Sequence, residues 1–281
     1  MDELDSVVST AVGDGFVLAD VDTASTPGFT GGKKQAEAAL EHNAKRLAEL
    51  QERLYAESKF EGTRSVLLVL QAMDTAGKGG IIRHVVGGVD PQGVKVHAFK
   101  APTDEEREHD FLWRIRRQLP EPGQIAVFDR SHYEDVLIHR VRGFSEPDVI
   151  EERYGVIRDF EREVVDAGTS VIKVMLHISP DEQRARLEAR LARPEKRWKF
   201  NPGDIDERQH WPAYMEAYQI ALERTAAPEA PWFVVPADRK WYARWAVQTL
   251  LLRELERLEP QWPVPDFDVE EQQRRLAQTA L

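Results

Sequence analysis

Three features that are missing from the sequence limit the kinds of protein it can encode. It contains no cysteine, which excludes disulfide bonds and thiol chemistry. No apolar run approaches the roughly 20 residues of a membrane-spanning helix, and the first residues, MDELDSVVST, lack the basic and then apolar pattern of a signal peptide. Histidine is scarce, and its eight residues form no metal-ligand pair at a typical spacing. We therefore expect a cytoplasmic protein that does not bind membranes.

Positive charge is also in short supply. The chain carries 38 basic and 49 acidic residues, which gives a formal net charge of −11. Proteins that bind nucleic acid over a broad surface are usually basic, so we expect no nucleic-acid partner. Any polyanionic ligand must instead bind in a local basic groove.

The stretch from Ser65 to Gly80, SVLLVLQAMDTAGKGG, has the pattern of a phosphate-binding loop. The run Val66–Leu70 predicts a strand buried on both faces, and Ile81–Val86 predicts a helix. Glycines between a strand and a helix let backbone N–H groups approach an anion, and Lys78 adds a mobile positive charge. The glycines expected to line the phosphate site are Gly77, Gly79 and Gly80.

The match to the pattern G-x-x-x-x-G-K-[ST] is incomplete. Ala72 stands in place of the first glycine, and Gly79 in place of the hydroxyl residue that binds Mg²⁺. Asp74, inside the loop, offers a carboxylate oxygen as a replacement ligand. The alternative is a tight strand-to-helix turn whose glycines serve packing only.

Predicted strands and helices alternate along the rest of the chain. Extended runs lie at Val94–Phe99, Gln124–Phe128, Ser170–Ile178 and Pro231–Pro236, with helical periodicity between them. This alternation predicts an α/β fold in which a parallel sheet lies between helices. Ligands of such sheets bind beyond the carboxyl ends of the strands.

The composition divides the chain into three parts. Residues 1–33 are polar and predict a poorly ordered surface arm, residues 34–258 form the α/β domain, and residues 259–281 form a proline-containing tail with a final polar helix. Two helix starts carry a capping-box pattern, at Thr103–Glu106 and at Ser179–Glu182.

A second acidic residue lies at a strand end. Asp129 follows the apolar run QIAVF, as an acidic residue does when it helps to hold phosphate-bound Mg²⁺. Together with Asp74 it offers two carboxylates to one phosphate site, which suits Mg²⁺. Arg130 follows and can form bidentate contacts with phosphate. The alternatives are a capping or turn role for Asp129 and an ion pair for Arg130.

A basic segment interrupts the acidic chain. Between residues 184 and 199 it places seven basic residues against two acidic ones; the basic ones are Arg184, Arg186, Arg190, Arg193, Lys196, Arg197 and Lys199. Pro194 and Pro202-Gly203 break the helix that starts this segment. We interpret residues 184–210 as a lid that closes arginines over a phosphoryl-transfer site and excludes water. The alternative is a solvated charged face.

Four motifs in order resemble the polyphosphate kinase 2 family. They are QAMDTAGKGG, VFDRSHYEDVL, RPEKRWKFNPGDIDERQHWPAYMEAY and APWFVVPADRKWYARWAV, and the resemblance spans Lys34 to Leu258. It implies a P-loop kinase-like fold with a helical lid. It further implies Mg²⁺-dependent transfer of phosphate between inorganic polyphosphate and nucleotides, and assembly into homodimers or homotetramers.

The resemblance also implies roles for individual residues. Asp74 and Asp129 match the family's magnesium-holding carboxylates, and Lys78 matches its phosphate-loop lysine. Arg130 matches the arginine after the second carboxylate, and Arg193 the lid arginine. Further phosphate contacts are expected from Arg83, Arg197 and Lys199. The wording FDRSHYEDVL is more like that of members that accept both AMP and ADP, and GMP and GDP are further candidate acceptors.

The hypothesis from the sequence is in-line transfer of a terminal polyphosphate phosphoryl group to a nucleotide. Positioning and electrostatics would carry nearly all of the catalysis. Two alternatives stay open, namely an ATP-dependent kinase of a small molecule and a non-catalytic protein that binds polyphosphate or nucleotide.

Overall fold

A single parallel sheet forms the centre of the molecule. The computed structural model describes residues 10–279, and its five strands lie in the order β2-β3-β1-β4-β5. The strands are β1 (Ser65–Ala72), β2 (Val94–Ala98), β3 (Ile125–Asp129), β4 (Thr169–His177) and β5 (Trp232–Pro236). All neighbouring strands pair in parallel. The predicted parallel α/β fold is therefore confirmed.

Strand β1 lies in the middle of this sheet, as its apolar sequence requires. All of its residues are buried, and Val66 pairs with Ile125 of β3 and with Ser170 of β4. A strand that is covered on both faces has no solvent side, so its sequence lacks polar alternation. Since β1 and β3 are neighbours, their carboxyl ends bring the segment after Ala72 close to Asp129.

Helices cover both faces of the sheet. They are α1 (Lys33–Glu57), α2 (Lys78–His84), α3 (Asp104–Arg107), α4 (Trp113–Arg116), α5 (Ile138–Arg142), α6 (Pro147–Asp166), α7 (Pro180–Ala192), α8 (Gly203–Gln209), α9 (Trp211–Thr225), α10 (Lys240–Leu258) and α11 (Val269–Ala277). Leu50 of α1 and Trp245 of α10 pack in the core on one face. Tyr154 of α6 and Leu222 of α9 pack on the other. Within residues 10–279, no helix combines the length and apolarity needed to cross a membrane.

The N-terminal segment departs from the prediction of a poorly ordered surface arm. Leu18 is 2% exposed and lies against α9, to which its N–H donates a hydrogen bond. The Phe29 ring packs 4.7 Å from the Trp245 ring, centroid to centroid. Residues 10–33 are therefore anchored to the domain, because a few apolar side chains spaced among polar ones pack against α9 and α10; residues 1–9 lie outside the described part.

Candidate active site

One cavity of about 830 Å³ lies beyond the carboxyl ends of β1 and β3. The phosphate loop (residues 73–79), the end of β3, helix α7 and the first half of α10 surround it. Ten of the eleven predicted site residues line this cavity, namely Asp74, Gly77, Lys78, Gly79, Gly80, Arg83, Asp129, Arg130, Arg193 and Lys199. The eleventh, Arg197, does not line it; its Nε donates to the Leu191 carbonyl at 2.9 Å.

The phosphate loop turns sharply between β1 and α2. Thr75 has a φ of 68° and Gly77 a φ of 127°. A φ of 127° lies in a region that L side chains rarely adopt, so Gly77 is required by the turn itself. The Thr75 hydroxyl oxygen is shielded from solvent and has no hydrogen-bond partner among residues 10–279. The loop thus leaves one polar group without a protein partner at the cavity.

Lys78, the first residue of α2, extends from the loop toward the end of β3. Its side chain is buried, and its Nζ lies 3.3 Å from the Ala72 carbonyl oxygen and 3.9 Å from Asp129 Oδ1. Burial lowers the pKa of Lys78, and the Asp129 carboxylate opposes that shift. Lys78 lines the cavity, so its ammonium is held beside Asp129 where a phosphate oxygen can reach it.

Arg130 links the two acidic motifs. Its backbone has a φ of 65°, and its Nη2 donates to Asp74 Oδ1 at 2.8 Å. Burial alone would lower the pKa of Arg130, but the carboxylates of Glu134 and Asp74 outweigh it and raise the pKa. The ion pair considered from the sequence does form, and its partner is the loop carboxylate beside the phosphate site.

The donor set of this cavity fits a magnesium ion that is completed by phosphate. No group of three or more His, Asp or Glu side chains in the described residues is arranged to hold a metal ion by itself. Mg²⁺ usually takes one or two carboxylates and completes its shell with water and phosphate oxygens. Asp74 and Asp129 supply such a pair at the cavity wall, and Thr75, whose hydroxyl has no partner among residues 10–279, lines the same cavity.

The predicted lid is built from α7, a 3-10 helix at Pro194–Lys199 and α8. Ser179 caps α7 by accepting from the Glu182 N–H at 3.1 Å. The Glu182 carboxylate does not complete the predicted capping box; it pairs with Arg186 Nε at 2.6 Å. Arg190, one turn on, lies 3.4 Å from Asp204 of α8. This pair joins the two helical parts of the lid.

Several cavity residues were not singled out from the sequence. Lys100 follows β2, Asp204 lies on α8, and Lys240 and Arg244 project from α10. Burial lowers the pKa of Lys240, and so do Arg186 and Lys196. A spacing of four residues places Lys240 and Arg244 on one helix face, and this was the signal that could have identified them. Basic side chains that form no ion pair within residues 10–279 thus lie together on the α10 side.

Comparisons with known proteins show which family this chain is similar to. The family model described as polyphosphate kinase 2 matches residues 31–263. An AMP/ADP-polyphosphate phosphotransferase of Meiothermus ruber is 48% identical over 251 residues, which is 89% of this chain and 92% of the relative. An ADP-polyphosphate phosphotransferase of Rhodopseudomonas palustris is 44% identical over 240 residues, 80% of each chain.

A solved structure extends the similarity to nearly the whole fold. The crystal structure of polyphosphate kinase 2 from Arthrobacter aurescens superposes with a TM-score of 0.97 and 54% identity, and the match covers 99% of both chains. A polyphosphate kinase 2 structure from Pseudomonas aeruginosa superposes with a TM-score of 0.78 and 33% identity, over 85% of this chain and 50% of that one. With the family model, the curated relatives and the fold all in agreement, this chain belongs to the polyphosphate kinase 2 family.

Proposed function

We propose that this protein transfers phosphoryl groups between inorganic polyphosphate and nucleotides, with AMP and ADP as acceptors. The observation that carries the proposal is that the loop lysine, both strand-end carboxylates and the lid arginine Arg193 line one cavity. The names of the relatives, which include AMP/ADP- and ADP-polyphosphate phosphotransferases, support the choice of substrates. GMP and GDP are further acceptors to test, and assembly into homodimers or homotetramers remains a prediction from the family resemblance.

Asp74 and Asp129 would hold Mg²⁺ in this reaction, and the ion would neutralise charge on the phosphates when bound. Lys78 lies 3.9 Å from Asp129, and Arg130 pairs with Asp74 at 2.8 Å. Because the transferring group spreads negative charge over its equatorial oxygens, cations fixed beside it stabilise the transition state more than the ground state. The chain supplies position and charge, and no protein nucleophile is needed.

The α10 side of the cavity fits a long polyanion. Arg83, Lys240 and Arg244 line it, and among residues 10–279 none of them forms an ion pair within 4.0 Å. Burial lowers the pKa of Arg244, Glu37 opposes the shift, and Arg83 adds to it. An anionic chain would relieve this repulsion. We propose that these three residues bind polyphosphate beyond the group that is transferred.

The test is nucleotide turnover with polyphosphate as the sole phosphate donor. AMP, ADP, GMP and GDP are supplied separately with Mg²⁺, and Asp129→Asn is measured beside wild type. We expect ADP from AMP and ATP from ADP, with kcat reduced on the order of 10³-fold in the variant. The matched control is Asp159→Asn, since Asp159 is 77% exposed and, within residues 10–279, pairs only with Arg162.

Two outcomes would contradict the proposal. Transfer from ATP to a small molecule, with none from polyphosphate to any acceptor, would indicate an ordinary P-loop kinase. Mg²⁺-independent binding of polyphosphate without turnover would indicate a binding protein.

A further inference from the structure

Arg186 differs from every other basic residue of the lid in how it is bonded. Its side chain is buried, and all five of its N–H donors are in use. Nε donates to Glu182 at 2.6 Å, and Nη1 donates to the carbonyls of Thr75 and Ala76 at 3.0 and 2.6 Å. Nη2 donates to the carbonyls of Ala237 and Asp238 at 2.6 and 3.1 Å. No donor is left for a phosphate, so Arg186 lines the cavity without being free to bind the substrate.

Two of these acceptors belong to the phosphate loop, and a neighbour of Arg186 adds a third. Gln183 is 1% exposed, and its Nε2 donates to the Asp74 carbonyl at 3.1 Å. Three successive loop carbonyls, those of residues 74, 75 and 76, are therefore bonded to side chains of α7.

Bonding the carbonyls fixes the other side of the same peptide groups. In a trans peptide the C=O of one residue and the N–H of the next point in opposite directions. When α7 holds the carbonyls of Asp74 and Ala76, the N–H groups of Thr75 and Gly77 point away from α7. Backbone N–H groups in such a loop are its main means of binding an anion.

We propose that Arg186, with Gln183, is a positioning residue that holds the phosphate loop in its anion-binding conformation and fixes the start of the lid helix to it. Gly77, with its φ of 127°, gives the loop backbone conformational freedom. The five hydrogen bonds of the Arg186 guanidinium restrict that freedom. Arg186 also bonds to the residues after β5, so the loop, the lid and the sheet edge share one anchor. The activity readout rests on the proposed function.

The test compares Arg186→Lys and Gln183→Leu with the control Arg162→Lys. Arg162 lies on α6, outside the lid; its side chain is 57% exposed and, within residues 10–279, pairs only with Asp159. Each variant is assayed for kcat, for KM of nucleotide and polyphosphate, for melting temperature and for amide hydrogen exchange of residues 74–80. Lysine keeps the charge but cannot reach five acceptors, and leucine keeps the shape of Gln183 but donates nothing.

We expect Arg186→Lys to lower kcat on the order of 10²-fold, because misplacing catalytic groups by about 1 Å costs that much. Its loop amides should exchange faster, KM for the nucleotide should change little, and Arg162→Lys should match wild type. Gln183→Leu should show the same pattern with a smaller loss.

A lower melting temperature with unchanged kcat and unchanged loop exchange would overturn the proposal, since Arg186 would then serve stability alone. If Arg186→Lys does not fold, Gln183→Leu decides by the same two readouts. If wild type transfers no phosphate, the proposed function fails, and hydrogen exchange in the loop still tests the positioning role.

Discussion

The two walls of the cavity are built on different principles. The phosphate-loop wall is packed and hydrogen-bonded, and its Lys78 side chain is 10% exposed. The lid wall beyond Arg190 is open, with Trp198 78% exposed. A wall that is fixed before the substrate arrives can position reacting groups. A wall with few contacts of its own must take its final position from the substrate.

Three arginines along the lid show this change within a dozen residues. Arg186 makes five hydrogen bonds, the shortest at 2.6 Å. Arg190 makes two long ones, at 3.3 Å to the Lys199 carbonyl and 3.4 Å to Asp204. The Arg193 side chain has no hydrogen bond or ion pair to residues 10–279 and lines the cavity. Mobility should therefore increase from the start of α7 to its end.

The largest effect should follow removal of charge from the packed wall. Lys78→Met keeps the length of the side chain but leaves the loop without its ammonium beside Asp129. Because that ammonium is preorganised in a buried site, we expect kcat to fall by about 10²–10³-fold, with Mg²⁺ saturating. Steady-state kinetics with polyphosphate and ADP measure it.

The control is Lys59→Met, which removes an exposed lysine that lies over the Tyr55 ring. Equal losses in both variants would show that net charge matters more than the packed geometry of the loop.

A second prediction tests whether the carboxyl end of β4, whose Leu176 lines the cavity, is dry. His177 ends β4, is 8% exposed, and burial lowers its pKa to about 4, while Asp238 opposes the shift. The unfolded chain then binds more protons than the folded one between pH 6.5 and pH 4. The free energy of unfolding should fall over that interval as the pH is lowered, by up to roughly 3 kcal/mol.

Urea denaturation of wild type and His177→Gln at a series of pH values isolates this contribution, because carboxyl groups titrate in both proteins. The pH dependence should be weaker in the variant, and His42→Gln, at an exposed position, should keep it. A difference that does not vary between pH 4 and pH 7 would show that water reaches His177.

The smallest effects should come from the open wall, where two neighbouring arginines make a matched pair. Arg193 lines the cavity, whereas Arg197 bonds to the Leu191 carbonyl and does not. A hydrogen bond to a charged group contributes about 1.5–3 kcal/mol. We therefore expect Arg193→Ala to lower kcat/KM for polyphosphate by about 10–10²-fold. Arg197→Ala should change kcat/KM little.

The same pair of variants also tests the predicted role of Arg197. The family resemblance assigns Arg197 a phosphate contact, and closure of the lid could bring it into the cavity. A loss in Arg197→Ala equal to that in Arg193→Ala would show that the closed lid uses both arginines.

The sequence predicted best those features that form within one short chain segment. The apolar run of β1, the glycine-rich turn and the Thr103 capping box all rely on neighbours within a few residues, and all three formed. The Ser179 capping box formed only by half, because Arg186 binds the glutamate that would have completed it. The packing of residues 10–33 was missed, because Leu18 and Phe29 are buried against helices that lie more than 180 residues away in the sequence.

By itself, the sequence determined the α/β fold, the phosphate loop and the two carboxylates that follow neighbouring strands. Periodicity and strand-end position carry those features, and both are local. Only the tertiary structure decided which basic residues are available to an anion. Arg186, Arg193 and Arg197 are the same residue type and differ only in their surroundings. Packing surrounds Arg186 with five acceptors, Arg193 lines the cavity, and Arg197 donates to a backbone carbonyl.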